Sequence, residues 1–202
     1  MKNRNAWDRI SGLYDFVMKK DEKAFEKIGR LIKKDRDRDL KVLELGAGTG
    51  NLTENIQPFF KDYTATDYSE KMVEHIKKKS IKDVKAERAD GTDLQFEDGN
   101  FDIVIIANTL HIVPEPEKIL NEIKRVLKPD GILIAPNFTS SAKFKEKIFK
   151  RVMKTFGVGV KHPWSYDQYL NFLSENGFKI LKDQPVKASF TIAYTESERV
   201  DI

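Results

Sequence analysis

The 202-residue chain has a mass of 23.3 kDa, 40% hydrophobic and 34% charged residues, and a formal net charge of +4. This balance excludes a disordered chain, and the lack of a long apolar run or a signal-peptide core leads us to expect one cytoplasmic α/β domain. The absence of cysteine excludes disulfides, thiolate metal sites and thiol nucleophiles.

Residues 1–39 are polar, with two stretches in which apolar residues recur at helical spacing. The first runs from Trp7 to Val17 and includes Tyr14, and the second runs from Phe25 to Ile32. We therefore expect two N-terminal helices that precede the first strand of the domain.

A glycine-rich turn follows the first predicted strand. Apolar residues from Val42 run into glycines at 46, 48 and 50, and a helical pattern then begins at Leu52. Glycines in a strand–turn–helix connection let the backbone approach a ligand closely, although a tight connection without a ligand is the alternative. A dinucleotide fingerprint would need a further glycine where Asn51 stands.

The pattern E-x-G-x-G-x-G in this turn closely resembles the first motif of class I S-adenosylmethionine (SAM)-dependent methyltransferases. That resemblance implies SAM as cofactor and a Rossmann-like, seven-stranded, mostly parallel sheet with helices on both faces and a C-terminal antiparallel hairpin. The motif residues that it implies as cofactor contacts are Glu44, Gly46, Ala47, Gly48 and Gly50.

The next predicted strand ends at Asp67, 21 residues after Gly46, and matches the second motif of this family. A carboxylate at this strand end can accept hydrogen bonds from both ribose hydroxyls, although an ordinary helix-capping role is the alternative. Ser69 is the expected N-cap of the following helix. Tyr68 and Met72 complete the cofactor contacts expected here, with Met72 against the purine.

A third predicted strand ends in Asp90-Gly91. In the family, the corresponding carboxylate accepts from the adenine amino group and the next N–H contacts a ring nitrogen, so the resemblance implies this pair as adenine contacts. Asp93 could take the role instead, or Asp90 could be a surface turn residue.

Residues 101–107 form a continuous apolar run, typical of a central parallel strand. The residues after it face the crevice at the sheet's carboxyl edge. We expect Asn108 to contact the cofactor and His111 to act as a base or substrate orienter, since its ordinary pKa lies near neutrality. Packing of His111 at the strand end is the alternative.

Tyr14 is the second candidate for a catalytic role. The segment from Trp7 to Asp15 resembles the N-terminal cap helix of small-molecule and lipid methyltransferases, in which an aromatic hydroxyl closes over SAM. The alternative is that Tyr14 is a core residue of an amphipathic helix.

A helix is predicted over 115–128 and a strand from 132 to 136. The segment over residues 110–133 is typical of the group that includes ubiquinone/menaquinone C-methyltransferases and phospholipid N-methyltransferases; its sequence is LHIVPEPEKILNEIKRVLKPDGIL. The resemblance covers about residues 7–136 and is specific for the cofactor and the fold, but not for the acceptor.

Beyond residue 140 the resemblance thins. The pattern over residues 143–156 predicts a basic amphipathic helix, which would either contact an anionic membrane or cap the substrate cavity. A helix capped by Ser165 and strands over 178–184 and 186–195 complete the prediction. Weaker substrate-pocket candidates are His162, Trp164 and Tyr166.

We thus predict one domain over 1–202, with N-terminal cap helices (1–39), a cofactor-binding core (40–136), substrate-cap helices (137–176) and C-terminal strands (177–202). The predicted activity is methyl transfer to a small-molecule or lipid-like acceptor. An inactive SAM-binding partner subunit is the alternative, and RNA methylation is less favoured because the basic residues are mostly interspersed with acids. No metal and no nucleic-acid partner are expected, and the sequence does not predict an oligomeric state.

Overall fold

The computed structural model describes residues 19–140 and 159–200. Tyr14 and the predicted helix over 143–156 lie outside the described residues. In chain order the elements are a 3-10 helix (Lys19–Asp21), α1 (Glu22–Lys33), β1 (Lys41–Leu45), α2 (Asn51–Ile56), a 3-10 helix (Gln57–Phe59), β2 (Asp62–Asp67), α3 (Glu70–Lys78), β3 (Val84–Arg88), β4 (Phe101–Ile106), α4 (Pro116–Val126), β5 (Leu127–Ile134), β6 (Asn137–Phe138), α5 (Tyr166–Glu175), β7 (Phe178–Lys187) and β8 (Thr191–Arg199).

The strands form one mixed sheet in the order β3-β2-β1-β4-β5-β8-β6, with β7 also paired to β8. Strands β1 to β5 are parallel, whereas β8 runs antiparallel to β5, β6 and β7. The predicted Rossmann-like class and the C-terminal hairpin are confirmed. Within the described ranges the sheet has eight strands rather than seven, and the additional strand is the two-residue β6.

The core lies in two layers, one on each face of the sheet, because neighbouring residues of a strand point to opposite faces. Leu43 of β1 packs in the layer that contains α4 and α5, while the adjacent Val42 packs in the layer that contains α1 and α2. Burial on both faces explains why β4 reads as an unbroken apolar run. The carboxyl ends of the parallel strands are thereby left as the accessible edge.

The boundary between α4 and β5 differs from the prediction. The helix ends at Val126, and Leu127 already belongs to the strand, where it pairs with Phe101. The register then shifts, so that Ile103 pairs with Ile132. The turn residues 128–131 therefore form an irregularity inside the strand, because the buried Leu127 is more strongly positioned by its sheet partner than by helix propensity.

The final strands cover Phe178–Lys187 and Thr191–Arg199, so the turn between them lies at 188–190 and the predicted boundary near residue 185 is wrong. Pro185 lies inside β7, where it pairs with Ala193. A proline is tolerated there because, among the strands of the described residues, β7 is bonded to β8 alone and is an edge strand. Within the two described ranges, no helix is both long and apolar enough to cross a membrane.

Candidate functional site

A cavity of about 240 Å³ opens at the carboxyl ends of β1, β2 and β4. This is the position at which open α/β sheets bind ligands. Seven of the predicted site residues line it, namely Gly46, Gly48, Asp67, Tyr68, Met72, Gly91 and Asn108. The lining also includes residues that the sequence did not single out, among them Leu45, Thr66, Ala89, Ile106, Ala107, Thr109, Ile112, Val113, Pro114, Ile119 and Lys161.

The glycine turn has the backbone conformation that its sequence requires. Gly46, Gly48 and Gly50 have φ values of +67°, +57° and +82°, in the region that favours glycine. A Cβ atom on Gly46 would lie 2.5 Å from Oγ1 of Thr109, so the turn packs directly against the loop after β4. Gly50 packs against Ile76 and does not line the cavity.

Asp67 ties the glycine turn to the start of α3. One carboxylate oxygen accepts the Gly48 N–H at 2.9 Å, and the other accepts the Ser69 N–H at 2.8 Å. Ser69 caps α3 as predicted, with its hydroxyl accepting the Met72 N–H. An ionised carboxylate has about four acceptor positions, so the loop contacts of Asp67 are compatible with the predicted ribose contact.

Asn108 has two unusual features. Its φ is +50°, and its side-chain oxygen Oδ1 is buried without a hydrogen-bond partner among residues 19–140 and 159–200. The residue is 7% exposed and lines the cavity. Because an unsatisfied buried acceptor typically costs 1–3 kcal/mol, this oxygen fits a ligand that brings a donor, such as the ammonium group of SAM.

Glu44 lies beneath the glycine turn rather than on the wall of the main cavity. Its side chain accepts hydrogen bonds from Thr53 and Tyr63, each at 2.7 Å. Burial raises the pKa of the Glu44 carboxyl, and the two hydrogen bonds only partly oppose this shift. Glu44 and Ala47 line a smaller cavity of about 30 Å³, whose lining shares Gly46 and Asn108 with the main one.

The two residues predicted to contact adenine, Asp90 and Gly91, differ in their position relative to the cavity. Gly91 lines the cavity and faces Ile119 of α4. The Asp90 carboxylate instead closes a local turn, accepting both the backbone N–H and the hydroxyl of Thr92. The alternative candidate, Asp93, is exposed and contacts Gln95. The adenine role of Asp90 therefore stays a prediction.

His111 is buried just behind the cavity and is not part of its lining. Its Nδ1 lies 2.9 Å from Oδ1 of Asn137, whose amide nitrogen donates to the Phe138 carbonyl. In this arrangement the Asn137 oxygen accepts the Nδ1 proton, which leaves Nε2 as the basic nitrogen of a neutral ring.

The weaker substrate-pocket candidates lie beside the loop after β4. The His162 ring donates through Nε2 to the Val113 carbonyl at 3.1 Å and stacks on Trp164. Tyr166 instead donates its hydroxyl to Asp183. Burial, reinforced by Asp183, raises the pKa of Tyr166. None of the three residues lines the cavity, whereas their neighbour Lys161 does.

Sequence reasoning missed Lys161 and Pro114, whereas Ile112 and Val113 belong to the stretch after β4 that the sequence predicts to face the crevice. Lys161 is separated from the glycine turn by more than a hundred residues, and a single lysine in a lysine-rich chain carries no distinguishing pattern. Its one signal is its place beside His162. Within the part of the chain that the structure describes, no group of three or more His, Asp or Glu side chains is arranged to hold a metal.

The sequence profile of a family described as "Methyltransferase domain" matches residues 43–135, which contain most of the cavity lining. The chain is 38% identical over 102 residues to a demethylmenaquinone methyltransferase of Clavibacter sepedonicus, covering 50% of this chain and 42% of that protein. It is 31% identical over 139 residues to the uncharacterized methyltransferase YcgJ of Bacillus subtilis strain 168, covering 65% of this chain and 53% of that protein. The chain thus spans about half the length of these curated relatives.

Solved structures share the fold at low sequence identity. A chain from the complex of the Haloferax volcanii Trm112 methyltransferase activator with a methyltransferase superposes with a TM-score of 0.82, covering 98% of both chains at 16% identity. An identity this low establishes the architecture and carries nothing about the acceptor.

Proposed function

Because residues 43–135 place this chain in the broad group of class I SAM-dependent methyltransferases, we propose that it transfers a methyl group to a small-molecule or lipid-like acceptor. The observation that carries this proposal is the cavity at the strand ends, in which Gly48, Asp67 and Asn108 converge. The curated relative of Clavibacter is named for a menaquinone precursor, which supports an acceptor of this kind.

The residues present fit SAM at each part of the molecule. Gly46 and Gly48 would allow the backbone to approach the amino-acid tail, and the Asn108 oxygen would accept from its ammonium group. Asp67 would hold the ribose, and Met72 would lie against the purine. SAM supplies an activated methyl group, so the protein has to align the acceptor, exclude water and, where required, remove a proton.

We propose His111 as the residue that orients the acceptor or accepts its proton. Asn137 supports this role, because its contact with Nδ1 leaves the basic nitrogen on the other side of the ring. Substitution His111→Ala should lower turnover more than SAM affinity. The reverse result would identify His111 as a packing residue. Tyr14 stays a proposed contributor from outside the described residues.

The cofactor proposal is tested by titrating SAM into the wild-type chain and the variant Gly48→Val. We expect loss of binding in the variant, because its side chain would enter the cavity, with a circular-dichroism spectrum that stays native. Gly99→Val is the matched control, since Gly99 also has a left-handed φ, of +62°, and a Cβ atom there meets nothing within 4 Å among the described residues. SAM affinity in Gly48→Val equal to that of wild type would contradict the site.

Methyl transfer itself is tested by incubating labelled SAM with quinol, phenol, amine and phospholipid acceptors. Transfer to one of these classes supports the enzyme. Binding of SAM without transfer to any class supports the alternative of an inactive partner subunit.

We also propose that the chain works with an activator protein. The support is the fold shared over 98% of both chains with a protein solved together with the Trm112 activator. Co-expression with a Trm112-type protein of the same organism should give a co-purifying pair with higher SAM affinity. Separate elution of the two proteins would contradict this partner.

A further inference from the structure

We propose that Lys161 selects an acceptor that carries an anionic oxygen group, either a carboxylate or an ionised phenol. This inference rests on the proposed function, because it concerns the substrate of the same cavity. Lys161 is the single basic residue among the described residues that line the cavity, and Asp67 is the single acidic one.

The backbone around Lys161 is held firmly against the loop after β4. The N–H groups of Lys161 and His162 both donate to the His111 carbonyl, at 2.8 and 3.0 Å. The His162 ring donates to Val113 and stacks on Trp164, which in turn stacks on Phe172 of α5 at 4.4 Å. The backbone of Lys161 is therefore held beside the cavity by a hydrogen-bonded and stacked frame, and the residue lines the cavity while it is also exposed to solvent.

The ammonium group of Lys161 has no ion-pair partner among residues 19–140 and 159–200. Some other lysines of the described chain do form ion pairs, for example Lys128 with Asp102 and Lys182 with Glu196. Asp67, the acid of the same cavity, instead bonds to backbone N–H groups of the glycine turn and α3. The positive charge of Lys161 is thus available to a ligand.

The position of Lys161 favours the acceptor over the tail of the cofactor. The described contacts of its backbone are with the loop after β4, whose residues Ile112, Val113 and Pro114 give the cavity an apolar wall. The glycine turn, where the amino-acid tail is expected, has its own backbone N–H groups for the carboxylate. A cavity with an apolar wall beside one cation is suited to an acceptor that has an apolar body and an anionic group.

The charges of the assembled site point the same way. SAM carries a sulfonium, an ammonium and a carboxylate, a net charge of one positive unit. Among the described lining residues Lys161 and Asp67 cancel each other, so the SAM-loaded cavity is positive and complementary to a singly charged anion. S-adenosylhomocysteine lacks the sulfonium, so in its complex a preference for an anion has to come from the nearby Lys161. A nearby ammonium also favours the ionised form of a phenol or acid, and the ionised oxygen is the better nucleophile where oxygen is methylated.

The test measures binding and does not depend on turnover. S-adenosylhomocysteine, the demethylated product, is first titrated into the wild-type chain, because failure of this step contradicts the proposed function itself. The loaded protein is then titrated with 2-naphthoate and its neutral counterpart 2-naphthamide, and with 4-nitrophenolate and its neutral counterpart 4-nitroanisole. We expect the anion of at least one pair to bind about fivefold or more tightly than its neutral partner, a difference of about 1 kcal/mol.

Three variants test whether Lys161 causes the preference for the anion. Lys161→Gln should abolish it without changing the affinity for S-adenosylhomocysteine, and Lys161→Arg should retain it. Lys187→Gln removes the same charge from an exposed position on β7 and should have no effect. Equal or absent binding of both anions by the loaded wild type would overturn the inference while leaving cofactor binding intact. A loss of S-adenosylhomocysteine affinity in Lys161→Gln would also overturn it, since the lysine would then pair with the cofactor's carboxylate.

Discussion

Glu44 on β1 and Glu196 on β8 are two carboxylates in opposite electrostatic settings. Glu44 is fully buried, receives hydrogen bonds from two hydroxyls and has no cation beside it among the described residues. Glu196 has a side chain only 12% exposed, which forms ion pairs with Arg36 and Lys182 and accepts from the hydroxyl of Tyr194.

The pKa values of these two groups move in opposite directions. Burial raises the pKa of Glu44, and its hydrogen bonds do not reverse the shift. Burial also opposes ionisation of Glu196, but the hydrogen bonds from Lys182 and Tyr194 and the charge of Arg36 outweigh it and lower the pKa. The charge of Glu196 is compensated by side chains within the fold, whereas Glu44 lies next to a cavity.

The difference separates a structural region from a ligand-binding region. The Glu196 cluster joins the chain after α1 to the C-terminal hairpin through bonds that are complete without a ligand. Beside Glu44, Asn108 combines a left-handed backbone with a side-chain oxygen that has no partner among the described residues, and it lines the cavity; the buried Oγ of Ser197, next to Glu196, also has no described partner but lies away from the cavity. Strain and unsatisfied polar atoms persist where a bound molecule can compensate them.

The largest effect is expected from Glu196→Ala. The substitution leaves Arg36 and Lys182 without their shared partner, and breaking a buried ion pair from one side destabilises by about 3 kcal/mol. Urea unfolding of the variant measures this loss. The control is Glu198→Ala, whose exposed pair with Lys179 should contribute at most about 1 kcal/mol. Equal losses of unfolding free energy in the two variants would show that the Glu196 cluster contributes no more to stability than an exposed ion pair does.

Asp67→Ala should weaken SAM binding by about 1.5–3 kcal/mol, the range for hydrogen bonds to a charged group. It also releases the N–H of Gly48, so part of the loss comes from a less ordered turn. Calorimetric titration gives the affinity. Asp62→Ala, at the opposite end of β2 and paired with the exposed Lys85, is the control and should bind SAM normally. A normal affinity in Asp67→Ala would remove the carboxylate from the site.

Asn108→Gly should uncouple affinity from stability. Glycine relieves the left-handed strain and removes the unpaired oxygen, so unfolding in urea should show no loss of stability. SAM affinity should nevertheless fall about fivefold, or about 1 kcal/mol. Asn108→Asp, which keeps an acceptor, should retain the affinity. A stability loss in Asn108→Gly without an affinity loss would assign Asn108 to the fold alone.

The smallest effect is a difference in pH dependence. A raised pKa in the folded state means that Glu44 contributes stability below its ordinary value of 4.5, which is lost as the pH rises through the folded-state pKa. The lowered pKa of Glu196 has the opposite effect. Glu196 contributes stability above pH 4.5, and this contribution is lost as the pH falls through its folded-state pKa. Urea unfolding at several pH values should therefore show opposite changes of slope in Glu44→Gln and Glu196→Gln. Changes of the same sign would contradict the contrast.

The sequence alone determined the architecture and the location of the ligand edge. The glycines at 46, 48 and 50 and the spacing to Asp67 are local patterns, set by backbone freedom and by the length of one turn, one helix and one strand. The cap at Ser69 is equally local. Such features predict that these strands are parallel and which residues lie at their carboxyl ends, because a strand, a helix and a second strand joined by short connections form a parallel pair.

Only the tertiary structure decided which partner each polar side chain takes. Glu44 turns to Thr53 and Tyr63 beneath the cavity, and Asp90 closes its own turn. Leu127 joins β5 rather than α4, and Lys161 reaches the site from a distant part of the chain. These contacts depend on how the layers pack and on where charges find partners, so no periodicity or spacing in the sequence encodes them.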